Sequence, residues 1–307
     1  MTPNSIVPIV HTSIQIASGS ALADPTVHDA ECHATPCGRR ARRGVWSGIS
    51  RALGLAAAAL LLLSGTVTSA SAANKCVNGG VVAGTCTLDA NFTGTITLVS
   101  NSTLDCRGLY KITGNLVSSA IVIQNARYVT VKNCGVQDAS VGIRIDNSRY
   151  ITLESNTLTS NAFGVFASNS ADITMTDGAV SMNAHGGLVF NNSYNINVQE
   201  VYLLNNDGEG ISLNAANNVK IDGVRVFGAA NNEASGIWAS NSSYLSIVNS
   251  FIRGWNRWGV SLNGGTTVHV QFNTFSLNHA DPSQGFSDAN IHTVGVRSLT
   301  TTPNTYY

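Results

Sequence analysis

The stretch Gly142-Ile-Arg-Ile-Asp-Asn-Ser-Arg-Tyr-Ile-Thr-Leu-Glu-Ser-Asn-Thr-Leu158 contains three short segments separated by polar residues. In the first two segments apolar side chains recur at every second position, as Ile143 with Ile145 and Ile151 with Leu153. A period of two residues is typical of β-strands that bury one face, and Asn between such segments favours tight corners. The stretch therefore predicts three short strands joined by two corners.

The same pattern recurs along the chain in seven units, spaced 22, 22, 23, 23, 26 and 23 residues apart. The units begin at Ile121, Ile143, Val165, Leu188, Ile211, Ile237 and Val260. Five positions of each unit are apolar in all seven units. A β-propeller is disfavoured, because its blades repeat about every 40 residues or at longer intervals. The repeat predicts an all-β chain that forms a single-stranded parallel β-helix with three short strands per turn and about eight or nine turns. The corner asparagines of successive turns are then in register, and we expect their side chains to hydrogen-bond along the axis as a ladder.

Some of the repeat residues also resemble a known family. The segment Ser102-Thr-Leu-Asp-Cys-Arg-Gly108, the segment Ile112-Thr-Gly114 and the recurring Asn-x-x-Gly-apolar-x-apolar units are similar to those of right-handed β-helix proteins. The chain resembles the pectin-lyase-like superfamily, close to its NosD-type and carbohydrate-binding/sugar-hydrolase group. The resemblance implies a right-handed helix whose ligand sites lie on the face formed by the first strand of each turn.

The beginning of the chain predicts a leader, residues 1–73, with a secretory signal peptide over residues 39–73. Four arginines in residues 39–43 precede the eleven-residue apolar run 53–63, and Ser69-Ala-Ser-Ala-Ala73 follows. This order is typical of an export signal, and a bilayer span needs about 20 apolar residues, which disfavours the alternative of a membrane anchor. We therefore expect a secreted or periplasmic protein with no membrane segment after cleavage.

The cysteines that remain after cleavage all lie near the amino end, and an even number in an exported protein predicts two disulfides with three possible connectivities. Cys106 and Cys134 occupy the same corner of successive turns, which favours their pairing and leaves Cys76 with Cys86. We expect a disulfide-held amino-terminal cap and first turn over residues 74–115, β-helix repeats over 116–280, and a carboxyl-terminal cap or tail over 281–307.

Candidate catalytic residues lie in the corners that precede the first strands. A carboxylate beside a histidine could remove the proton next to the carboxyl group of a uronate, while an arginine neutralises that carboxyl group. The residues that fit these roles are His185, Asp207, Glu209 and Arg257. A plain solvated turn is the alternative interpretation of the acidic segment 205–210, and the Asp-Pro-His-Asp motif of alginate epimerases is absent from the sequence.

Candidate binding residues follow from the outward positions of the same face. Aromatic rings beside polar side chains suit sugars, which have apolar ring faces and polar hydroxyl groups. The residues of this kind are Arg144, Asn191, Asn214, Trp238, Trp255 and Trp258. The alternative for the tryptophans is that they pack a large corner loop.

The amino-acid composition excludes some classes of protein and of binding partner. Charged residues make up only 11% of the 307-residue chain and the formal net charge is zero, which disfavours both a disordered chain and a nucleic-acid partner. We expect a monomer whose partner is an extracellular polysaccharide, with no cofactor and no metal site, except that calcium could bind at Asp146. The predicted function is to bind an acidic polysaccharide and potentially to cleave or epimerise it. The alternative is a non-catalytic surface, adhesive or periplasmic accessory module.

Overall fold

The computed structural model describes residues 75–228, 234–278 and 290–307. Within these ranges the regular structure consists of β-strands alone, and no helix is long and apolar enough to cross a membrane. The predicted leader and signal peptide lie outside the described residues.

The strands are short, and most have three to six residues. In the first half of the chain they are β1 (Val81–Val82), β2 (Thr85–Thr87), β3 (Phe92–Thr93), β4 (Ile96–Leu98), β5 (Thr103–Asp105), β6 (Lys111–Thr113), β7 (Ile121–Gln124), β8 (Arg127–Lys132), β9 (Gly135–Gln137), β10 (Val141–Asp146), β11 (Arg149–Glu154), β12 (Thr157–Thr159), β13 (Phe163–Ser168), β14 (Ala171–Thr176) and β15 (Ala179–Ser181). In the second half they are β16 (Gly186–Asn191), β17 (Tyr194–Gln199), β18 (Tyr202–Asn206), β19 (Ile211–Asn214), β20 (Asn217–Asp222), β21 (Arg225–Gly228), β22 (Ile237–Ser240), β23 (Ser243–Val248), β24 (Phe251–Arg253), β25 (Val260–Asn263), β26 (Thr266–Gln271), β27 (Thr274–Ser276), β28 (Ile291–Val294), β29 (Arg297–Thr300) and β30 (Thr305–Tyr306).

Every third strand belongs to the same sheet, so that the strands form three sheets of ten strands each. The first sheet runs from β1 through β4 and β7 to β28, the second from β2 to β29, and the third from β3 to β30. Strands that neighbour one another in a sheet pair in parallel, as β10 does with β13. We call each set of three consecutive strands a coil, and the seven units of the sequence repeat are coils 3 to 9. The predicted parallel β-helix with three strands per turn is confirmed.

The core of the helix is formed by the apolar columns of the repeat. No residue of the five columns is more than 3% exposed, from Ile121 in coil 3 to Phe275 in coil 9. Registers place equivalent residues next to each other along the axis, for example Ile143 beside Val165 and Ile151 beside Ile173. Close packing of this kind removes the apolar surface of each coil from water, which a single coil cannot achieve alone.

The corners follow the predicted chemistry with one difference. Left-handed backbone conformations occur at the expected Asn residues between the first and second sheets, Asn125, Asn147, Asn169, Asn192 and Asn241. These side chains are exposed, and the next residue of the corner points inward instead. Ser148 N–H donates to Ser170 Oγ, and Ser170 N–H donates to Ser193 Oγ. Serines rather than asparagines therefore form the buried ladder at this corner.

Both ends of the helix add coils beyond the sequence repeat. The disulfides join Cys76 with Cys86 and Cys106 with Cys134, as the register predicted. Coils 1 and 2 lie in the amino-terminal segment, and β28 to β30 form coil 10 in the segment expected to be a cap or tail. The helix thus has ten coils in its described part.

Candidate functional site

A small cleft lies on the outer side of the first sheet, beside the corners that precede β19, β22 and β25, and it extends to β28. Its volume is about 220 Å³. We call it the late-coil cleft, and its lining residues are Glu209, Ser235, Trp238, Arg257, Trp258, Ser261, Asn263, His292 and Val294. Four of the sequence-predicted site residues are therefore brought together by the fold.

The floor of the cleft is one outward column of the first sheet. Trp238 of β22 pairs with Ser261 of β25, and Ser261 pairs with His292 of β28. Successive strands of a sheet are about 4.8 Å apart, so these three side chains stand on consecutive coils. Trp238 is half-buried and points outward, as its position between the buried residues Ile237 and Ala239 requires.

A stacked group forms one wall of the cleft. The guanidinium carbon of Arg257 lies 4.5 Å from the centre of a Trp258 ring. The imidazole of His292 is stacked on the same side chain, with ring centroids 4.2 Å apart and planes at 10°. Trp258 is only 6% exposed, so its indole serves mainly to hold the arginine and the histidine in place.

Trp255 does not belong to this surface, and its predicted role in substrate binding is wrong. The side chain is fully buried in the core, and its indole N–H donates to the carbonyl oxygen of Val226 over 3.3 Å. At the same corner of other coils a buried asparagine makes the corresponding bond, as Asn183 Nδ2 does to the Leu158 carbonyl. Trp255 therefore replaces an asparagine of an internal ladder.

The late-coil cleft contains two of the four residues that the sequence suggested for catalysis. Glu209 and Arg257 line the late-coil cleft, whereas His185 and Asp207 are not among its lining residues. The His185 ring instead lies against Phe163, with centroids 5.5 Å apart. His185 and the segment 207–209 nevertheless lie on neighbouring coils, since Gly187 N–H donates to the Glu209 carbonyl oxygen and Gly208 lies against the His185 carbonyl.

The other predicted binding residues lie further along the first sheet. Asn191 pairs with Asn214 and Asn214 with Ser240, which in turn pairs with Asn263 in the cleft. The column thus extends a row of polar side chains from the cleft towards the middle of the helix.

Arg144 lies on β10, nearer the amino end, where its Nε donates to an Asp146 carboxylate oxygen over 2.6 Å. Because this arginine neutralises Asp146, the carboxylate that was considered for calcium already has a positively charged partner.

His292 is one of the cleft residues that the sequence did not suggest as part of a sugar site. It lies in coil 10, where the apolar pattern reads Ile291-His-Thr-Val294 and a threonine occupies the second inward position. Because of this threonine, coil 10 lacks the two alternate apolar residues that identify the first strand in the other coils. If threonine is accepted at that position, the same alternation puts His292 in the outward column.

Several solved β-helix structures have a similar fold. The periplasmic alginate epimerase AlgG matches with 15% identity and a TM-score of 0.50 over 68% of this chain and 61% of its own. The AlgE6 A-module, a mannuronan C-5 epimerase of Azotobacter vinelandii, matches with 13% identity and a TM-score of 0.46 over 78% and 92%. Tailspike protein 2 of Escherichia coli O157:H7 bacteriophage CAB120 matches with 16% identity and a TM-score of 0.49 over 74% and 35%. These likenesses concern the fold, and this chain spans about three-fifths of the AlgG structure. A comparison with curated proteins found no match.

A protein-family model described as periplasmic copper-binding protein (NosD) matches residues 96–290. Copper sites in proteins are built from histidine nitrogens and cysteine or methionine sulfurs. In the described part of the chain, no group of three or more His, Cys, Asp or Glu side chains could hold a metal ion, and all four cysteines there are in disulfides. The described residues therefore do not fit a copper site.

The family match agrees with the other observations. It covers more than half of the chain and runs from coil 2 to the beginning of coil 10, which is the part built from repeats. The family is a periplasmic one, which confirms the predicted location outside the cytoplasm. The resemblance noted in the repeat residues is confirmed as well, and the chain belongs to the NosD family of parallel β-helix proteins.

Proposed function

We propose that this protein binds an acidic polysaccharide through the late-coil cleft. The observation that carries the proposal is the stack of Arg257 and His292 on Trp258, in a cleft that also exposes Trp238. A flat aromatic side chain can pack on the apolar face of a sugar ring, and an arginine can pair with the carboxylate of a uronate. Both kinds of contact are within one small surface.

The polar column of the first sheet supports an extended ligand. Asn191, Asn214, Ser240 and Asn263 stand on consecutive coils, about 4.8 Å apart. That interval is close to the length of one sugar residue in an extended chain. A polysaccharide lying along the helix axis can therefore place successive hydroxyl groups against successive side chains.

The same cleft offers groups for proton transfer at a bound uronate. With Arg257 neutralising the carboxyl group, the Glu209 carboxylate is the candidate base for the proton on the adjacent ring carbon. Return of a proton to the opposite face of that carbon gives the epimer. If instead the glycosidic oxygen leaves the next carbon and takes up a proton from water, the electron pair of the broken C–H bond forms a double bond and the product is unsaturated.

The experiment compares binding and turnover of alginate and polygalacturonate oligosaccharides by the mature protein. We expect Trp238→Ala to weaken binding by about 1–3 kcal/mol, typical of an aromatic anchor, with little change in thermal stability. Arg257→Gln should weaken binding of acidic oligosaccharides only, and Arg253→Gln, an exposed arginine on the third sheet, is its matched control. If Trp238→Ala binds every probe as tightly as the parent protein, the cleft is not the binding site.

A second candidate, a non-catalytic accessory module, is favoured by one observation. His185 and Asp207 do not line the cleft that contains Glu209, so the cleft lacks the base and acid pair that the sequence suggested. Glu209→Gln distinguishes the two candidates, since it should abolish epimer or unsaturated product formation and leave binding largely intact. Binding without any turnover by the parent protein supports the accessory module.

A further inference from the structure

A second surface with the features of a ligand site lies on the second sheet, near the amino end. From β8 onward the second residue of each strand of this sheet adopts the left-handed conformation, with φ of 56° at Asn195 and 53° at Asn218. Asn suits this conformation, whereas a bulky residue there is strained. Tyr128 and Tyr150 nevertheless occupy the position in coils 3 and 4, with φ of 59° and 60°. Tyrosine also occupies the position in coil 8, as Tyr244, so the feature that sets coils 3 and 4 apart is that two tyrosines stand on neighbouring strands.

The two rings form an ordered and exposed platform. Their centroids are 4.8 Å apart and their planes differ by 6°, yet Tyr128 is 58% and Tyr150 39% exposed. The guanidinium carbon of Arg149 lies 5.0 Å from the Tyr150 ring centre. Stacking and cation–π contacts of this kind fix the rings without covering them.

Arg149, the arginine that contacts the platform, is paired within the protein. Arg149 Nε donates to an Asp172 carboxylate oxygen, and the other carboxylate oxygen accepts from Asn195 Nδ2 over 2.7 Å. Asn218 Nδ2 continues the chain by donating to Asn195 Oδ1 over 2.8 Å. An ion pair that is already made offers little attraction to an anionic ligand.

The platform borders a groove of about 490 Å³, a volume within the usual range of ligand sites. Thr130, Thr152 and Thr174 line its base and occupy the same outward position on β8, β11 and β14. Their hydroxyl groups recur once per coil, about 4.8 Å apart, and each can both donate and accept.

We propose that this groove, which we call the tyrosine groove, binds an uncharged glycan that lies along the helix axis. One sugar ring packs at the tyrosine platform, and the hydroxyl groups of the following sugars meet the threonines, Asp172 and Asn195. The charged side chain among the lining residues of the groove is the carboxylate of Asp172, which disfavours an anionic ligand, whereas the late-coil cleft is lined by Arg257. The inference goes beyond the proposed function and does not rest on it.

The test uses the double variant Tyr128→Asn/Tyr150→Asn, because asparagine occupies the same backbone conformation in coils 6 and 7. The variant should therefore fold and unfold at a temperature close to that of the parent protein. Binding is measured by titration calorimetry with cellohexaose, xylohexaose, mannohexaose and maltohexaose as neutral probes, and with alginate and polygalacturonate hexamers as acidic ones. We expect the parent protein to bind at least one neutral probe, and the double variant to bind it about tenfold more weakly or worse.

A further variant separates this groove from other surfaces. Tyr244→Asn removes an exposed tyrosine from the same left-handed position in coil 8, outside the groove, and should leave neutral-probe binding unchanged. The proposal is overturned if no neutral probe binds the parent protein, or if the folded double variant retains parental affinity. It is also overturned if the tyrosine substitutions weaken only the acidic probes.

Discussion

The imidazole of His292 lies parallel to the indole of Trp258, with ring centroids 4.2 Å apart. Trp258 comes from the corner before β25 and His292 from β28, so the contact joins coil 10 to the rest of the helix. The Arg257 guanidinium lies against the same indole. One tryptophan therefore positions an arginine and a histidine at the late-coil cleft.

Removal of the histidine tests this relationship. In His292→Ala, Trp258 loses a stacked neighbour, and we expect its fluorescence emission to move to longer wavelength as water reaches the indole. Affinity for acidic oligosaccharides should fall about three- to tenfold, in line with a loss of about 1 kcal/mol for a single aromatic contact. His292→Phe keeps a stacked ring, so it should retain the emission of the parent protein. Unchanged emission in His292→Ala would contradict the observed stacking.

Substitution of Trp255 distinguishes a core residue from a surface one. Trp255→Ala leaves a large cavity and should reduce the free energy of unfolding by about 3–5 kcal/mol. Trp255→Phe keeps most of the volume but leaves the Val226 carbonyl without the indole N–H, which should cost about 1–3 kcal/mol. Both values are obtained from denaturant titrations. A loss of glycan binding in Trp255→Phe at full stability would show that the residue acts at the surface after all.

Truncation of an inward column residue tests the packing of the helix. Ile221 is fully buried in coil 7, and Ile221→Ala should cost about 2–5 kcal/mol because closely packed coils cannot collapse around the cavity. Ser246→Ala, on the outer side of the same sheet in coil 8, is the control and should change stability by no more than about 0.5 kcal/mol. Equal effects of the two substitutions would be incompatible with the alternating burial of these strands.

Acid sensitivity is expected from the ion pair beside the tyrosine groove. The hydrogen bond from Arg149, with a second from Asn195, holds the pKa of the Asp172 carboxyl below its ordinary value of 3.8. The folded state is therefore stabilised by this group above the ordinary value, and the contribution is lost as the pH falls through the lowered one.

The contribution of Asp172 is small and should decrease with added salt, because the pair is partly exposed. Denaturant titrations from pH 6 to pH 2 should show a shallower acid dependence for Asp172→Asn than for the parent protein. The same slope in both proteins would mean that the pair contributes nothing to stability.

The sequence by itself determined the strand columns, the corners and the disulfides. Alternation such as Ile143 with Ile145 repeats at a nearly constant interval, and a strand that buries one face allows few other arrangements. Cys106 and Cys134 could be paired for the same reason, since the repeat places them at one corner of successive coils. These features depend on local spacing alone, and local spacing is written in the sequence.

Only the tertiary structure decided which side chains share a surface. Trp255 and Trp258 are three residues apart in the same corner, yet one fills a position of a buried ladder and the other supports Arg257 and His292. Corner residues have no fixed alternation, so their direction depends on the volume left by neighbouring coils, such as the space beside Gly210 and Gly236 that Trp255 occupies. The placement of Glu209 and His292 in one cleft likewise follows from the stacking of coils, which brings together residues far apart in the chain.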